Sequence, residues 1–162
     1  MVHVVLFEPD IPGNTGNVGR SCVATGSTLH LVGRLGFSLD DTHVRRSGLD
    51  YWEKVKLVTH KDWESFLHSL PARAPLFFFS KKAKRDLWSA TFVPESYLIF
   101  GCETKGLPPE FQTRYEKDMY RIPMRPDSVR SINLSTAAGI VLYEAIRQTG
   151  QVLDAVRRTE TA

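Results

Sequence analysis

Apolar positions in this chain fall into short dense runs, separated by polar segments rich in Gly, Pro, Asn and Asp. Val2–Phe7 is rich in β-branched residues and is stopped by Pro9 and Pro12, which reads as a buried strand. Leu29–Val32, Lys56–Thr59, Leu76–Ser80, Tyr97–Phe100 and Met119–Ile122 read as further strands, and the most compact of these runs suit parallel strands covered on both faces. Between them the period changes to that of a helix. Asn14 or Thr15 is placed to cap a helix reaching about Thr25, with Val18, Cys22 and Val23 on one side. Asp40–Ser47 reads as a short helix, and Asp62 caps another whose Trp63, Phe66, Leu67 and Leu70 form a stripe at i, i+3, i+4, i+7. The last helix is the clearest: Leu134, Ala137, Ala138, Val141, Leu142, Ala145 and Ile146 share one face, and Gly150 ends the pattern. The alternation predicts one α/β domain over residues 1–150, a mostly parallel sheet with flanking helices, followed by a polar tail at 151–162.

Composition narrows the class only a little. A chain of 162 residues can bury one normal core without staples. A formal charge of +3 permits a nucleic-acid partner without requiring one. Cys22 and Cys102 supply neither a disulfide framework nor a metal-ligand spacing, as in a reducing, cytoplasmic setting. The N-terminus has no basic leader, and its apolar run is too short to cross a membrane.

Three polar loops follow three of the strand-like runs. They are Glu8–Arg20, Phe100–Pro109 and Arg121–Gly139, the last leading into the long helix. Hydroxyls, amides and free backbone N–H groups at a helix N-terminus suit an anionic or highly polar ligand, so the loops point to one site at the strand ends. Gly13, Gly16 and Gly19 are spaced G-x-x-G-x-x-G, which departs from the dinucleotide fingerprint, and no G-x-x-x-x-G-K-[ST] phosphate loop occurs. His3, His30, His43, His60 and His68 are scattered without a metal-binding spacing and read as surface or edge histidines, so no metal is expected. No G-x-S-x-G elbow supports a serine hydrolase.

Individual polar residues divide between ordinary and functional roles. Arg20 lies within the first helix, where an exposed arginine is the ordinary reading. Arg45, Arg46, Lys54, Lys81, Lys82, Lys84 and Arg85 form either a solvated face or a phosphate track, with Trp52 and Trp88 available to stack on unpaired bases. Tyr143 lies off the apolar stripe of the last helix and suits either an interface or a substrate contact. Glu103, flanked by Gly101 and Gly106, suits either solvent or a ligand-directed hydrogen bond.

Taken in order, the loops resemble the three motifs of the SPOUT superfamily of RNA methyltransferases, in its TrmH-like class. The first motif corresponds to Pro9–Arg20, the second (Phe-Gly-x-Glu-x-x-Gly-Leu-Pro) to Phe100–Pro108, and the third to Ile122–Ser135. The likeness extends over nearly the whole chain, including Gly48–Tyr51. The compact length and the Glu8-Pro-Asp-Ile-Pro start are most similar to the tRNA wobble-nucleotide ribose 2′-O-methyltransferases. The segment Pro-Asp-Ser-Val-Arg-Ser-Ile-Asn is one residue longer than in many such enzymes.

The resemblance implies a deep C-terminal trefoil knot, which periodicity alone would never suggest. It also implies S-adenosylmethionine as cofactor, held by Phe79, Gly101, Ile122 and Ser131, and a homodimer in which each site is completed by the partner. By the same resemblance Arg20, Asn14, Glu103, Ser131 and Asn133 are the catalytic positions, while Arg20, Arg45, Arg46 and Tyr143 contact RNA. Arg20 remains protonated, so it would stabilise a developing alkoxide and not act as a base. The implied substrate is tRNA, at the wobble position of the anticodon stem-loop. Other readings are the same chemistry at another tRNA or ribosomal RNA position, a non-catalytic RNA-binding module of this fold, or a nucleotide enzyme on an ordinary doubly wound sheet.

Overall fold

The computed structural model describes residues 1–39 and 51–151. The expected helix at Asp40–Ser47, together with Arg45 and Arg46, and the tail beyond residue 151 lie outside the described residues. Seven strands form one sheet: β1 (His3–Phe7), β2 (Thr28–Val32), β3 (Lys56–His60), β4 (Leu76–Phe79), β5 (Arg85–Asp86), β6 (Tyr97–Phe100) and β7 (Met119–Arg121). Their order is β3-β2-β1-β6-β4-β7-β5, and every pairing is parallel. Among the described residues the α-helices are α1 (Pro12–Thr25), α2 (Trp63–Ser69), α3 (Pro109–Arg114) and α4 (Leu134–Thr149).

The strands read as continuous apolar runs because alternate residues serve two different cores. On one face Val4, Leu6, Leu29, Leu31, Phe77, Leu98 and Phe100 pack with Val18 and Cys22 of α1 and Ala138, Val141, Leu142 and Ala145 of α4. On the other, Val5, Val32, Phe78, Tyr97, Ile99 and Met119 meet Trp63 and Phe66 of α2 and Phe111 of α3. Fully buried Phe66 and Phe78 each contribute about 1.5–3 kcal/mol of apolar burial. Burial also pushes the Cys22 thiol up to about 12, so it behaves as a small core side chain.

Local signals held at several ends. The Asp62 side chain accepts the Ser65 backbone N–H at 2.8 Å and caps α2. Gly150 closes α4 in the left-handed region at φ 64°. The cap proposed for α1 is corrected. That helix starts at Pro12, with Ile11 at the N-cap and no side-chain cap, and proline's missing N–H costs nothing at the first position. Asn14 and Thr15 are buried inside its first turns.

Three histidines read as isolated are brought into line by the parallel register. His3 Nδ1 is 3.0 Å from His30 Nε2, and His30 Nδ1 is 3.0 Å from His60 Nε2. His3 Nε2 lies 3.0 Å from Glu95, whose other oxygen binds the N-terminal amine. Among the described residues no group of three or more His, Cys, Asp or Glu side chains is placed to hold a metal ion. No helix among them is long and apolar enough to cross a membrane.

Candidate functional site

In a sheet of parallel strands the carboxyl ends share one edge, and ligands bind there beside the point where the strand order reverses. The first three strands run outward from β1 in one direction, and the rest lie on its other side. A cleft of about 750 Å³ opens on this edge, beyond β4, β6 and β7. Phe79 ends β4, Gly101 follows β6 and Ile122 follows β7, and all three line it, as does Ser131 on the loop leading to α4. The four residues assigned to the cofactor from motif positions far apart in sequence therefore lie in one cavity. Its volume is within the range of small-molecule sites.

Gly101 is required by packing. A Cβ there would lie 2.1 Å from the backbone carbon of Gly106 and 2.2 Å from the Leu107 nitrogen. The loop closes on itself this tightly through the Cys102–Gly106 bridge, where the Gly106 N–H donates to the Cys102 carbonyl at 2.9 Å. This fold of the loop aims Glu103 at the start of α1.

The Glu103 carboxylate accepts the backbone N–H of Asp10 at 2.7 Å and of Ile11 at 3.2 Å, and the Asn14 amide at 3.0 Å. A negative charge beside a helix N-terminus is favourable, so Glu103 stabilises the start of α1 from another loop, through N–H groups that precede the helix. Asn14 in turn accepts the Asn133 amide at 3.0 Å, and Asn133 Oδ1 caps α4 by accepting the Ser135 and Thr136 N–H groups. The three motif loops are thus joined by one hydrogen-bonded row, Glu103–Asn14–Asn133. All three side chains border the cleft with their hydrogen-bonding atoms turned to one another.

Arg20 is elsewhere. It lies on the exposed side of α1, with its guanidinium 4.7 Å from the centre of the Tyr51 ring, and does not line the cleft of its own chain. Tyr51 is fixed by donating to the Gly16 carbonyl at 2.9 Å, so the arginine rests on an anchored platform. Tyr143 is half exposed on the outer side of α4 and also stands away from the cleft.

The basic run separates into two groups. Lys81 and Lys82 line the cleft. Lys84 pairs with Glu116 at 2.6 Å, and Arg85 lies over the Tyr120 ring and donates to the Lys117 carbonyl. Trp52, one of the two tryptophans that the sequence left available for stacking, is packed against α1, where a Cβ on Gly19 would approach its ring to 2.9 Å. Trp88 is 64% exposed. Sequence reasoning gave no site role to Lys105 and Arg130, which also line the cleft; both lie inside the motif segments Phe100–Pro108 and Ile122–Ser135, and that was the available signal.

A doubly covered parallel sheet with a polar, glycine-closed cleft at its carboxyl edge is the framework of a nucleotide-type ligand site, and comparison with known proteins specifies which. The SpoU rRNA Methylase family matches residues 1–143, and the chain belongs to this family. It is 47% identical over 152 residues to the tRNA (cytidine(34)-2′-O)-methyltransferase of Saccharophagus degradans, covering 93% of this chain and 97% of that protein. The Burkholderia cenocepacia (strain HI2424) enzyme of the same name is 44% identical over the same shares. A solved structure concerned with 2-OH methylation of C/U34 on tRNA superposes with a TM-score of 0.87 at 45% identity, covering 91% of this chain and 95% of the other. The SpoU methyltransferase AviRb from Streptomyces viridochromogenes, solved in complex with AdoMet, gives a TM-score of 0.79 at 27% identity, covering 90% and 57%.

Proposed function

We propose that this protein is an S-adenosylmethionine-dependent tRNA ribose 2′-O-methyltransferase acting on the nucleotide at position 34. The observation that carries the reading is the convergence of Phe79, Gly101, Ile122 and Ser131 on one cleft, in a chain matched over nearly their whole length by two relatives named tRNA (cytidine(34)-2′-O)-methyltransferase.

The cleft fits the cofactor on its own chemistry. Apolar walls from Phe79, Phe100, Ile122 and Leu134 suit an adenine ring, and the Gly101–Gly106 loop and Ser131 offer polar groups. When bound, the cofactor supplies an electrophilic methyl group on sulfonium. The protein's part is to hold the ribose hydroxyl in line and favour its deprotonated form.

Arg20 performs the second task from a neighbouring subunit. An arginine stays charged at neutral pH and stabilises a developing alkoxide and an adjacent phosphate through its forked donors. The reading of a homodimer is supported by the position of Arg20 outside its own cleft and by Ile140 and Tyr143, 37% and 51% exposed along α4. Glu103, Asn14 and Asn133 act as positioning residues that hold the cleft's loops together.

A trefoil knot also belongs to this reading. What supports it is that β7 lies between β4 and β5, whereas α4 packs against α1 and β6. The connection from Ile122 to Asn133 meets the segment joining β4 to β5, where Lys81 Nζ donates to the Arg130 carbonyl at 3.4 Å.

Methyl transfer from labelled S-adenosylmethionine to total tRNA, followed by digestion to nucleosides, tests the proposal. Label in 2′-O-methylcytidine or 2′-O-methyluridine is expected. Label in a base-methylated nucleoside would contradict it.

A further inference from the structure

The cleft carries more positive charge than its own residues balance. Lys81, Lys82, Lys105 and Arg130 line it, and among the described residues none of the four makes an ion pair. The Lys81 ammonium is satisfied in part by the Arg130 carbonyl, a neutral acceptor. Among the described residues the only carboxylate lining the cleft is Glu103, already engaged by two backbone N–H groups and the Asn14 amide. Asp10, the acid nearest this loop, accepts the Thr104 hydroxyl at 2.6 Å and is not part of the lining. A smaller cavity of about 250 Å³ shares Lys82 and Gln112 with the cleft and continues it toward Lys84.

This surplus is ill suited to the proposed cofactor alone. S-adenosylmethionine carries sulfonium and ammonium charges against a single carboxylate, so it is itself a net cation. Four exposed cations without an ion-pair partner disfavour a cationic ligand to a screened extent, and an anion bound beside them offsets this. A polynucleotide backbone is such an anion. Lysines act on it as point charges, and the arginine can bind a phosphate through two donors.

We propose that Lys81, Lys82, Lys105 and Arg130 form a rim subsite for backbone phosphates flanking the methylated ribose, and that these phosphates supply the counter-charge that the cofactor requires. The subsite rests on the methyltransferase reading. RNA and S-adenosylmethionine then bind with positive coupling, each strengthening the other by the same factor. The demethylated product, S-adenosylhomocysteine, has lost the sulfonium charge and gains less from the RNA. After transfer the coupling relaxes, which favours release.

The test uses the full chain and an anticodon stem-loop RNA carrying 2′-deoxycytidine at position 34, so that binding is measured without turnover. For the wild type, Lys82→Gln and Lys105→Gln, the stem-loop affinity is followed against salt concentration. Both variants are exposed lysine changes expected to leave the thermal melt unaltered. Each is expected to lower the log–log salt slope by about 0.7, the value for one phosphate contact on a single strand. Calorimetry of the wild type is expected to show S-adenosylmethionine binding severalfold tighter with the stem-loop present, and S-adenosylhomocysteine changed less. A slope unaltered by both substitutions, or equal changes for the two cofactor forms, overturns the subsite, while cofactor binding itself would keep the methyltransferase reading. Failure to bind S-adenosylmethionine with or without RNA, alongside slopes that both lysines govern, overturns the methyltransferase reading and supports the phosphate site.

Discussion

Asn133 donates its side-chain amide to the Asn14 side-chain oxygen at 3.0 Å, joining the starts of two helices that are 119 residues apart. The same Asn133 caps its own helix, and the same Asn14 donates onward to Glu103. The polar residues of three separate motifs are therefore committed mainly to one another. In physical terms they fix the loops around the cleft.

Separating these roles is possible with Asn133→Asp. The carboxylate keeps the cap by accepting from Ser135 and Thr136, but it has no amide to give Asn14. Asn133→Ala loses both contacts. Chemical denaturation should show a loss of about 1–3 kcal/mol for Asn133→Ala, combining a lost cap with an unpaired Asn14 oxygen. Asn133→Asp should recover part of the cap contribution while cofactor affinity stays reduced.

Glu103→Gln keeps the shape and removes the charge at the start of α1. Replacing the charged acceptor of two backbone N–H groups should cost about 1–2 kcal/mol of stability. If Glu103 were instead the base in methyl transfer, the variant would keep its stability and lose turnover at saturating cofactor and tRNA.

Gly101→Ala places a carbon 2.1 Å from backbone at Gly106, which no side-chain movement can relieve. The loop must open, and S-adenosylmethionine affinity by calorimetry should fall at least tenfold. Gly106→Ala meets no atom within 4 Å but holds φ at 71°, so its cost is backbone strain of about 1–2 kcal/mol.

Acid stability should be governed by the histidine row. Burial, then His3 and His60, lowers the His30 pKa from 6.5 to about 3. His30 is thus neutral in the folded protein at pH values where the unfolded chain binds its proton. Stability is fully present above pH 6.5 and falls as the pH drops toward 3, by at most about 1.4 kcal/mol per pH unit from this group. Glu95, lowered by its bonds to the N-terminal amine and His3, adds in the same direction below its ordinary carboxylate range. His30→Gln should flatten the dependence of melting temperature on pH between 6.5 and about 4.

Arg20→Lys keeps the charge but loses the planar fork. Methyl transfer should drop on the order of 10²-fold, the scale of removing one donor from a developing oxyanion. S-adenosylmethionine affinity should be unchanged, because in this reading Arg20 acts on the ribose hydroxyl and its adjacent phosphate and not on the cofactor.

Much of this molecule was legible along the chain because its signals are local. The Asp62 cap, the seven-residue face of α4 and the apolar runs of β1, β4 and β6 each depend on neighbours within a few positions. What escaped depends on distant pairings. β5 is only Arg85–Asp86 and has no apolar pattern to read, and α3 has the single buried side chain Phe111. The His3–His30–His60 row arises from strands paired 27 and 30 residues apart, a spacing no motif encodes. Asn14 looked like a cap because its residue type caps helices, and only the return of Glu103 from a loop 89 residues away gave it another use. The positions assigned to the cofactor were reached through family resemblance, and nothing in their spacing places Phe79, Gly101, Ile122 and Ser131 around the one cavity they line.

In the proposed reaction a ribose 2′-hydroxyl at position 34 receives the methyl group. The direct measurement incubates the full chain with S-adenosylmethionine and two synthetic anticodon stem-loops, differing only in cytidine or 2′-deoxycytidine at that position, and maps the methyl by mass spectrometry. One methyl on the ribose of C34 in the first RNA and none in the second is the expected result. Equal methylation of both, or a methyl on a base or at another nucleotide, would contradict it.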